Sequence, residues 1–412
     1  MFISQNFLFK LFIFSSVFFQ IFIFNFNFLS SNIKPSQLLF LFLITYNFRS
    51  LLKIKFSNRI LNYCKYGLFS LLMISFCTFF NYETESFNNL TSLNYKPINH
   101  LILFFFNFLT VPLLFLLMRF LKIKQDIIST FYNSIFISII IIIMILLLPF
   151  DSSFLFKENI EFSVSGLQIQ RFKGGLEFSV FSVIALFSLL NDQENKDILA
   201  LKYFKISVFL ISVLIGFSRQ AFLCLIVASI MHFFYKYNLS IKNIFSLFPL
   251  VLLLSFFLLI VVPNSIFLTF VFDRFTEIFS VATYFTGTAS DRLFLWTNMI
   301  NDISNNVLLG KGMDSYIKFF VYQGDGAHNF FMMILHAGGA LALIFFLCAI
   351  IPIFYKYLTC RHYNVNNFII FLSVSMLFLA SLTSLIYTIN LFWIFLGFAF
   401  YFDNNHSNLQ DD

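Results

Sequence analysis

Runs of roughly 20 apolar residues, recurring along most of the chain, constrain this sequence more than any other feature. The hydrocarbon core of a bilayer is about 30 Å thick and takes about 20 helical residues to cross. The runs fall at about 7–26, 36–48, 60–80, 98–118, 131–149, 176–190, 203–217, 220–235, 244–262, 328–351, 366–383 and 386–402. The reading is all-α: a polytopic transmembrane helical bundle of about twelve spans. It forms one integral membrane domain over residues 1–412, with a long outward loop, 263–327, between the ninth and tenth spans. Loops of that length in a compact bundle usually carry function.

Composition agrees and closes other classes. Apolar residues make up 59% of the 412 and charged residues 11%, against about 25% charged in an ordinary soluble domain. That excludes a soluble globular enzyme, a disordered chain and a secreted disulfide scaffold. The five cysteines, Cys64, Cys77, Cys224, Cys348 and Cys360, lie mostly in apolar runs and form no C-x-x-C pair. Neither a disulfide framework nor a zinc site is indicated, and no metal or cofactor is expected. The net charge of +7 comes without a basic block interleaved with aromatics, so no nucleic-acid partner is expected. The 68 phenylalanines read as lipid-facing filler. With the Ile, Asn and Lys usage, they fit an AT-rich gene. The first run lacks a small-residue cleavage site and reads as a retained helix.

Loop charges set the orientation. With the N-terminus inside, the cytoplasmic loops carry Arg49, Lys53, Lys55 and Arg59, then Arg119, Lys122 and Lys124. Farther on they carry Lys196, Lys202 and Lys205, then Lys236 and Lys242, and finally Lys356 and Arg361. This density follows the positive-inside rule and puts both termini in the cytoplasm. One break decides the parity. Residues 203–235 would make a helix of about 50 Å if continuous, and Gly216-Phe217-Ser218-Arg219-Gln220 is the interruption. Breaking there places Arg219 at the outer surface.

The candidate chemistry gathers in the 263–327 loop and its exit. Ser290-Asp291-Arg292-Leu293-Phe294-Leu295-Trp296 is followed by Leu308-Leu309-Gly310-Lys311-Gly312, and then by Gly324-Asp325-Gly326-Ala327-His328-Asn329. Arg292 and Trp296 share a face if helical, which suits an interfacial helix with the indole at headgroup depth. His328 stands at the mouth of a span, where a neutral imidazole could accept a hydroxyl proton; a polar helix-start residue is the plain alternative. Arg219 and Arg292 could each grip phosphate oxygens bidentately or snorkel to headgroups. Arg171, beside Lys173, is a weaker third. His336 reads as a packed, hydrogen-bonded histidine. Glu83 and Glu85 read as solvated loop charges. Asp273, Asp291, Asp302, Asp314 and Asp325 are scattered rather than set at metal-ligand spacing.

Three of these segments resemble the O-antigen polymerase and O-antigen ligase family of bacterial inner membranes. Gly216-Phe217-Ser218-Arg219-Gln220-Ala221 is similar to a G-x-S-R-x-A break. Arg292 and Trp296 ahead of Leu308-Leu309-Gly310-Lys311-Gly312 are similar to R…W…P-L-L-G-x-G, with Val307 where the proline is usual. His328-Asn329 with Gly338-Gly339 is similar to H-N…G-x-x-G, its last glycine replaced. The resemblance implies a metal-independent membrane glycosyltransferase acting at the periplasmic face of the inner membrane. Its substrate would be an undecaprenyl-pyrophosphate-linked glycan. Arg219 and Arg292 would hold the pyrophosphate, and His328 would orient or deprotonate the acceptor hydroxyl. Arg171, Trp296 and Asn329 would contact substrate. Its partners would be membrane lipid and the pathway's flippase and chain-length regulator. Polymerisation of repeat units is the first reading and ligation of the polymer to lipid A-core the second. A transporter or flippase for the lipid-linked unit fits less well, since such proteins show repeat symmetry and mid-membrane polar residues. A non-catalytic scaffold would leave the paired arginines without purpose.

Overall fold

The computed structural model describes residues 4–21, 26–28, 31–82, 97–122, 126–147, 156–164, 167–172, 175–192, 197–215, 219–237, 288–304, 307–316, 329–359, 365–380 and 390–407. The helices are α1 (Gln5–Ile21), α2 (Pro35–Leu51), α3 (Asn58–Tyr82), α4 (Pro97–Leu121), α5 (Asp126–Leu147), α6 (Gly175–Asn191), α7 (Leu199–Ile215), α8 (Arg219–Tyr237), α9 (Thr288–Ile303), α10 (Phe330–Thr359), α11 (Val365–Ala380) and α12 (Asn390–Ser407). The apolar runs and the helices coincide, except that the run at 244–262 lies outside the described residues. Among the described residues, four helical stretches are long and apolar enough to cross a membrane: Asn58–Asn81, Pro97–Leu121, Ile127–Met144 and Phe330–Tyr355. Within the 203–235 stretch α7 is described to Ile215 and α8 from Arg219, and the expected break at 216–218 lies outside the described residues.

The all-α reading holds for the architecture, and two short hairpins accompany the helices. Two antiparallel hairpins are present, β1 (Phe26–Phe28) with β2 (Ser31–Ile33), and β3 (Phe156–Val164) with β4 (Leu167–Phe172). Their sequences explain them. Phe24-Asn25-Phe26-Asn27-Phe28 alternates apolar and polar residues with the period of a strand. Ser165-Gly166 is a turn dipeptide between two further stretches of mixed alternation.

The chain divides into two compact units, residues 1–134 with 291–412, and residues 135–290. In the first, α10 packs on α3, α4 on α12, α11 on α12, and α2 on α1 and α4. Trp393 is fully buried at its centre, 5.8 Å from Phe104 by ring centroid. Tyr63 stacks on Phe108 at 4.7 Å; Gly67 makes room for that ring, because a Cβ there would overlap it. Outward faces stay apolar, with Phe42, Leu72, Phe76, Phe79 and Phe80 all exposed. A helix apolar on all sides belongs in a membrane rather than in water. At one end of this unit the Arg119 guanidinium donates to the Lys55 carbonyl at 3.0 Å. In the second unit α6 packs on α7 and α8. There Lys205, expected as a loop cation, is buried and bonds Asp197 at 2.6 Å.

α10 runs antiparallel to α3, since Gly338 lies against Ile74 and the Ser70 hydroxyl donates to the Ala342 carbonyl at 2.8 Å. It is broken at Gly339, where φ is +76°. A broken helix frees backbone groups, and apolar surroundings offer no water to satisfy them. Residues 307–312 do so. The Lys311 N–H donates to the His336 carbonyl at 2.7 Å, and the Gly312 N–H to the Ala337 carbonyl at 2.9 Å. The Ala340 N–H in turn donates to the Val307 carbonyl at 2.8 Å. Gly310 and Gly339 permit the close approach: a Cβ on either would overlap the opposing backbone. Gly339→Ala adds left-handed strain and a clash with the Leu308 carbonyl, together at least about 2 kcal/mol. The expected outcome is a thermal-aggregation midpoint several degrees lower in detergent, with Leu72→Ala on the exposed face changing it little.

Candidate functional site

One cluster of polar groups in the first unit lies where α3 ends, α4 begins and α10 begins, opposite the Arg119–Lys55 end. Asn329 starts α10 as its N-cap: its side-chain oxygen accepts from the Phe331 and Met332 N–H groups at 3.0 and 3.1 Å. Phe330, the first helical residue, is buried edge-on against Phe104 of α4 at 5.7 Å. His336, just under two turns further on, is fully buried. Its Nε2 lies 3.0 Å from Asp302 Oδ2 at the end of α9, and its Nδ1 lies 3.1 Å from Ser315 Oγ. A carboxylate only accepts, so the proton on Nε2 points at Asp302. The Ser315 hydroxyl, with one proton to give, lies between His336 Nδ1 and the Gly312 carbonyl, 2.8 Å from the latter. One imidazole therefore ties α9 and the 307–316 segment to α10.

The 307–316 segment brings in a second pair. Met313 N–H donates to Thr78 Oγ1 at 2.9 Å, and Gly312 takes φ +93° hard against α3. Asp314 follows in the left-handed region at φ +59°, a conformation that costs a non-glycine residue about 1 kcal/mol or more. It is fully buried. One of its oxygens pairs with His100 Nδ1 on the first turn of α4, and the other has no partner among the described residues. The His100 side chain is 38% exposed.

The residues singled out in the sequence distribute as follows. Trp296 is half-buried on α9, whose Leu295, Met299 and Ile303 form the inward stripe. Arg292 lies one turn before it on the same helix, its side chain outside the described residues. Arg219 is the first residue of α8 and Arg171 lies in β4, both in the second unit, again with only the backbone described. His328, Glu83 and Glu85 lie outside the described residues. His336 is packed and hydrogen-bonded, as its position suggested. Four contributors were not found from sequence: His100, Asp302, Asp314 and Ser315. Their partners lie 21 to 214 residues away in the chain, and no motif spacing encodes such pairs. Among the described residues, no three His, Cys, Asp or Glu side chains gather as a metal site.

Breaking the buried pair should loosen the whole end of the unit. His336→Ala leaves the Asp302 carboxylate without its donor, and Asp302→Ala leaves the imidazole without its acceptor. A double-mutant cycle on unfolding midpoints should return a coupling of about 1–3 kcal/mol. A coupling near zero would remove this tie from the account.

Two comparisons bear on identity. Residues 206–347 match the family model described as O-antigen ligase. That range contains the Gly216–Ala221 break, the Arg292–Gly312 segment and the His328–Gly339 segment, and it supports the O-antigen ligase and polymerase family. A search of the curated proteins found no match.

Proposed function

We propose, from the O-antigen ligase match over residues 206–347, that this chain is a multi-pass membrane glycosyltransferase of the O-antigen ligase and polymerase type. It joins lipid-linked glycans at the periplasmic face of the bacterial inner membrane. The observation that carries the reading is that the matched range contains all three motif segments, two of which meet where residues 307–312 dock on α10. The substrate is an undecaprenyl-pyrophosphate-linked glycan. Its diphosphate leaves readily, so the enzyme needs mainly to place two sugars and absorb charge. Arg219 and Arg292 hold the diphosphate and stabilise the negative charge that grows on it. His328 orients the acceptor hydroxyl or takes its proton. Trp296 sits one turn from Arg292 at headgroup depth, and Arg171 and Asn329 contact the substrate. Direct displacement inverts the anomeric centre. No metal takes part.

Polymerisation of repeat units is the first reading. The second, transfer of finished polymer to lipid A-core, is favoured by the description of the matched family. The two share the donor site and differ in the acceptor. Gene deletion followed by gel analysis of surface polysaccharide separates them. A single repeat left on the core marks a polymerase. Bare core with carrier-linked polymer marks a ligase, and units held on the cytoplasmic side mark a transporter. Arg292→Ala, Arg219→Ala and His328→Ala should each fail to restore product, with losses of about 10²-fold or more, while the protein still inserts. Full restoration by all three would overturn the site assignment.

A further inference from the structure

In the first unit α1, α2, α4 and α12 leave between them a cavity of about 10 Å³. Five of the residues lining it are polar: Ser16 of α1, Ser36 and Gln37 of α2, and Asn107 and Thr110 of α4. All five are buried, in a unit whose outward faces are apolar. Ser36 is the anomaly among them. It stands in the first turn of α2 and is 1% exposed. Its hydroxyl has no hydrogen-bond partner among the described residues. A buried hydroxyl left unmet costs stability, and an alanine in its place would not. Hydrocarbon offers nothing to meet it.

The neighbouring side chains have part of their capacity committed, and what is left is specific. The Ser16 hydroxyl donates to the Phe12 carbonyl at 2.8 Å, and the Thr110 hydroxyl to the Phe106 carbonyl at 3.1 Å. A hydroxyl has one proton, so both oxygens are left as acceptors. Gln37 Oε1 accepts from the Lys34 N–H at 2.9 Å, and Gln37 Nε2 donates to Asn107 Oδ1 at 3.4 Å. That amide nitrogen carries a second proton, and Ser36 has its own to give. The cavity therefore sets donors from α2 beside acceptors from α1 and α4. A molecule that both accepts and donates matches this pattern.

Size and charge decide which molecule. About 10–15 Å³ is the least that holds one water, and a buried water needs two to four polar partners. The cavity meets both conditions and has no room for a lipid headgroup or a sugar. Among the described residues no charged side chain lines it. An ion there would lack a counter-charge in apolar surroundings, at prohibitive cost. We propose that this cavity is the binding site of a single water molecule. The water accepts from Ser36, donates to Ser16 and Thr110, and so bridges the first turn of α2 to α1 and α4. It adds to the direct Gln37–Asn107 bond, which is long at 3.4 Å.

Millisecond X-ray radiolysis of the full-length protein in detergent tests this, because a bound water, once ionised, oxidises the side chains it touches. Phe40 lines the cavity and is 2% exposed. Phe115 of α4 is 0% exposed and lies away from the lining. Mass spectrometry should find Phe40 oxidised and Phe115 unmodified. Ser36→Val removes the hydroxyl and fills the space with methyl groups, and oxidation of Phe40 should then be lost. Equal oxidation of Phe40 and Phe115 in the wild type, at any level, would overturn the proposal. So would oxidation of Phe40 that persists unchanged in a folded Ser36→Val protein, since water would then reach the ring by another route. The wild-type comparison decides by itself if the variant does not insert.

Discussion

A helix broken inside apolar surroundings must have its open backbone groups met by another part of the chain, and that requirement organises the first unit. At Gly339 the α10 ladder is interrupted, and three backbone hydrogen bonds from residues 307–312 close it. Each unmet backbone group in hydrocarbon would cost several kcal/mol. The segment therefore cannot drift off without a large penalty. It is irregular backbone, tolerated because its open groups are met by α10.

The rest of the site follows from that docking. Gly310 and Gly312 let the segment lie against α10 and α3 without side-chain interference. Gly312 turns the chain, so Asp314 and Ser315 point into the unit, one toward His100 on α4 and the other toward His336 on α10. His336 in turn anchors Asp302 and so the C-terminal end of α9, the helix that carries Arg292 and Trp296. Two imidazole–carboxylate pairs thus hold three helices and one segment in register. One is closed to solvent; the other has its ring partly exposed.

Much of the helical layout was legible in the sequence because a long apolar run has one physical meaning in a chain with so few charges. The helix start at Asn329 was legible for the same reason: it is a local signal, read over a few residues. The hairpins were missed because short alternating stretches such as Phe26–Phe28 sit beside longer apolar runs that dominate any window. Gly310, Gly312 and Gly338-Gly339 were visible as motif glycines, but not that they face each other across the helix break. Asp302 and Asp314 looked scattered because their partners are far off in the chain. His100 is one polar residue in an apolar run, and only the fold shows that a carboxylate is buried behind it.

Hydrogen exchange of the detergent-solubilised protein tests the docked segment most directly. Peptides covering 307–316 should exchange as slowly as those of α10 around 336–342, with the Lys311, Gly312 and Ala340 amides protected together. Full exchange of 307–316 within seconds, while α10 stays protected, would mean that the segment is not seated in the break, and the arrangement of both histidine pairs would go with it.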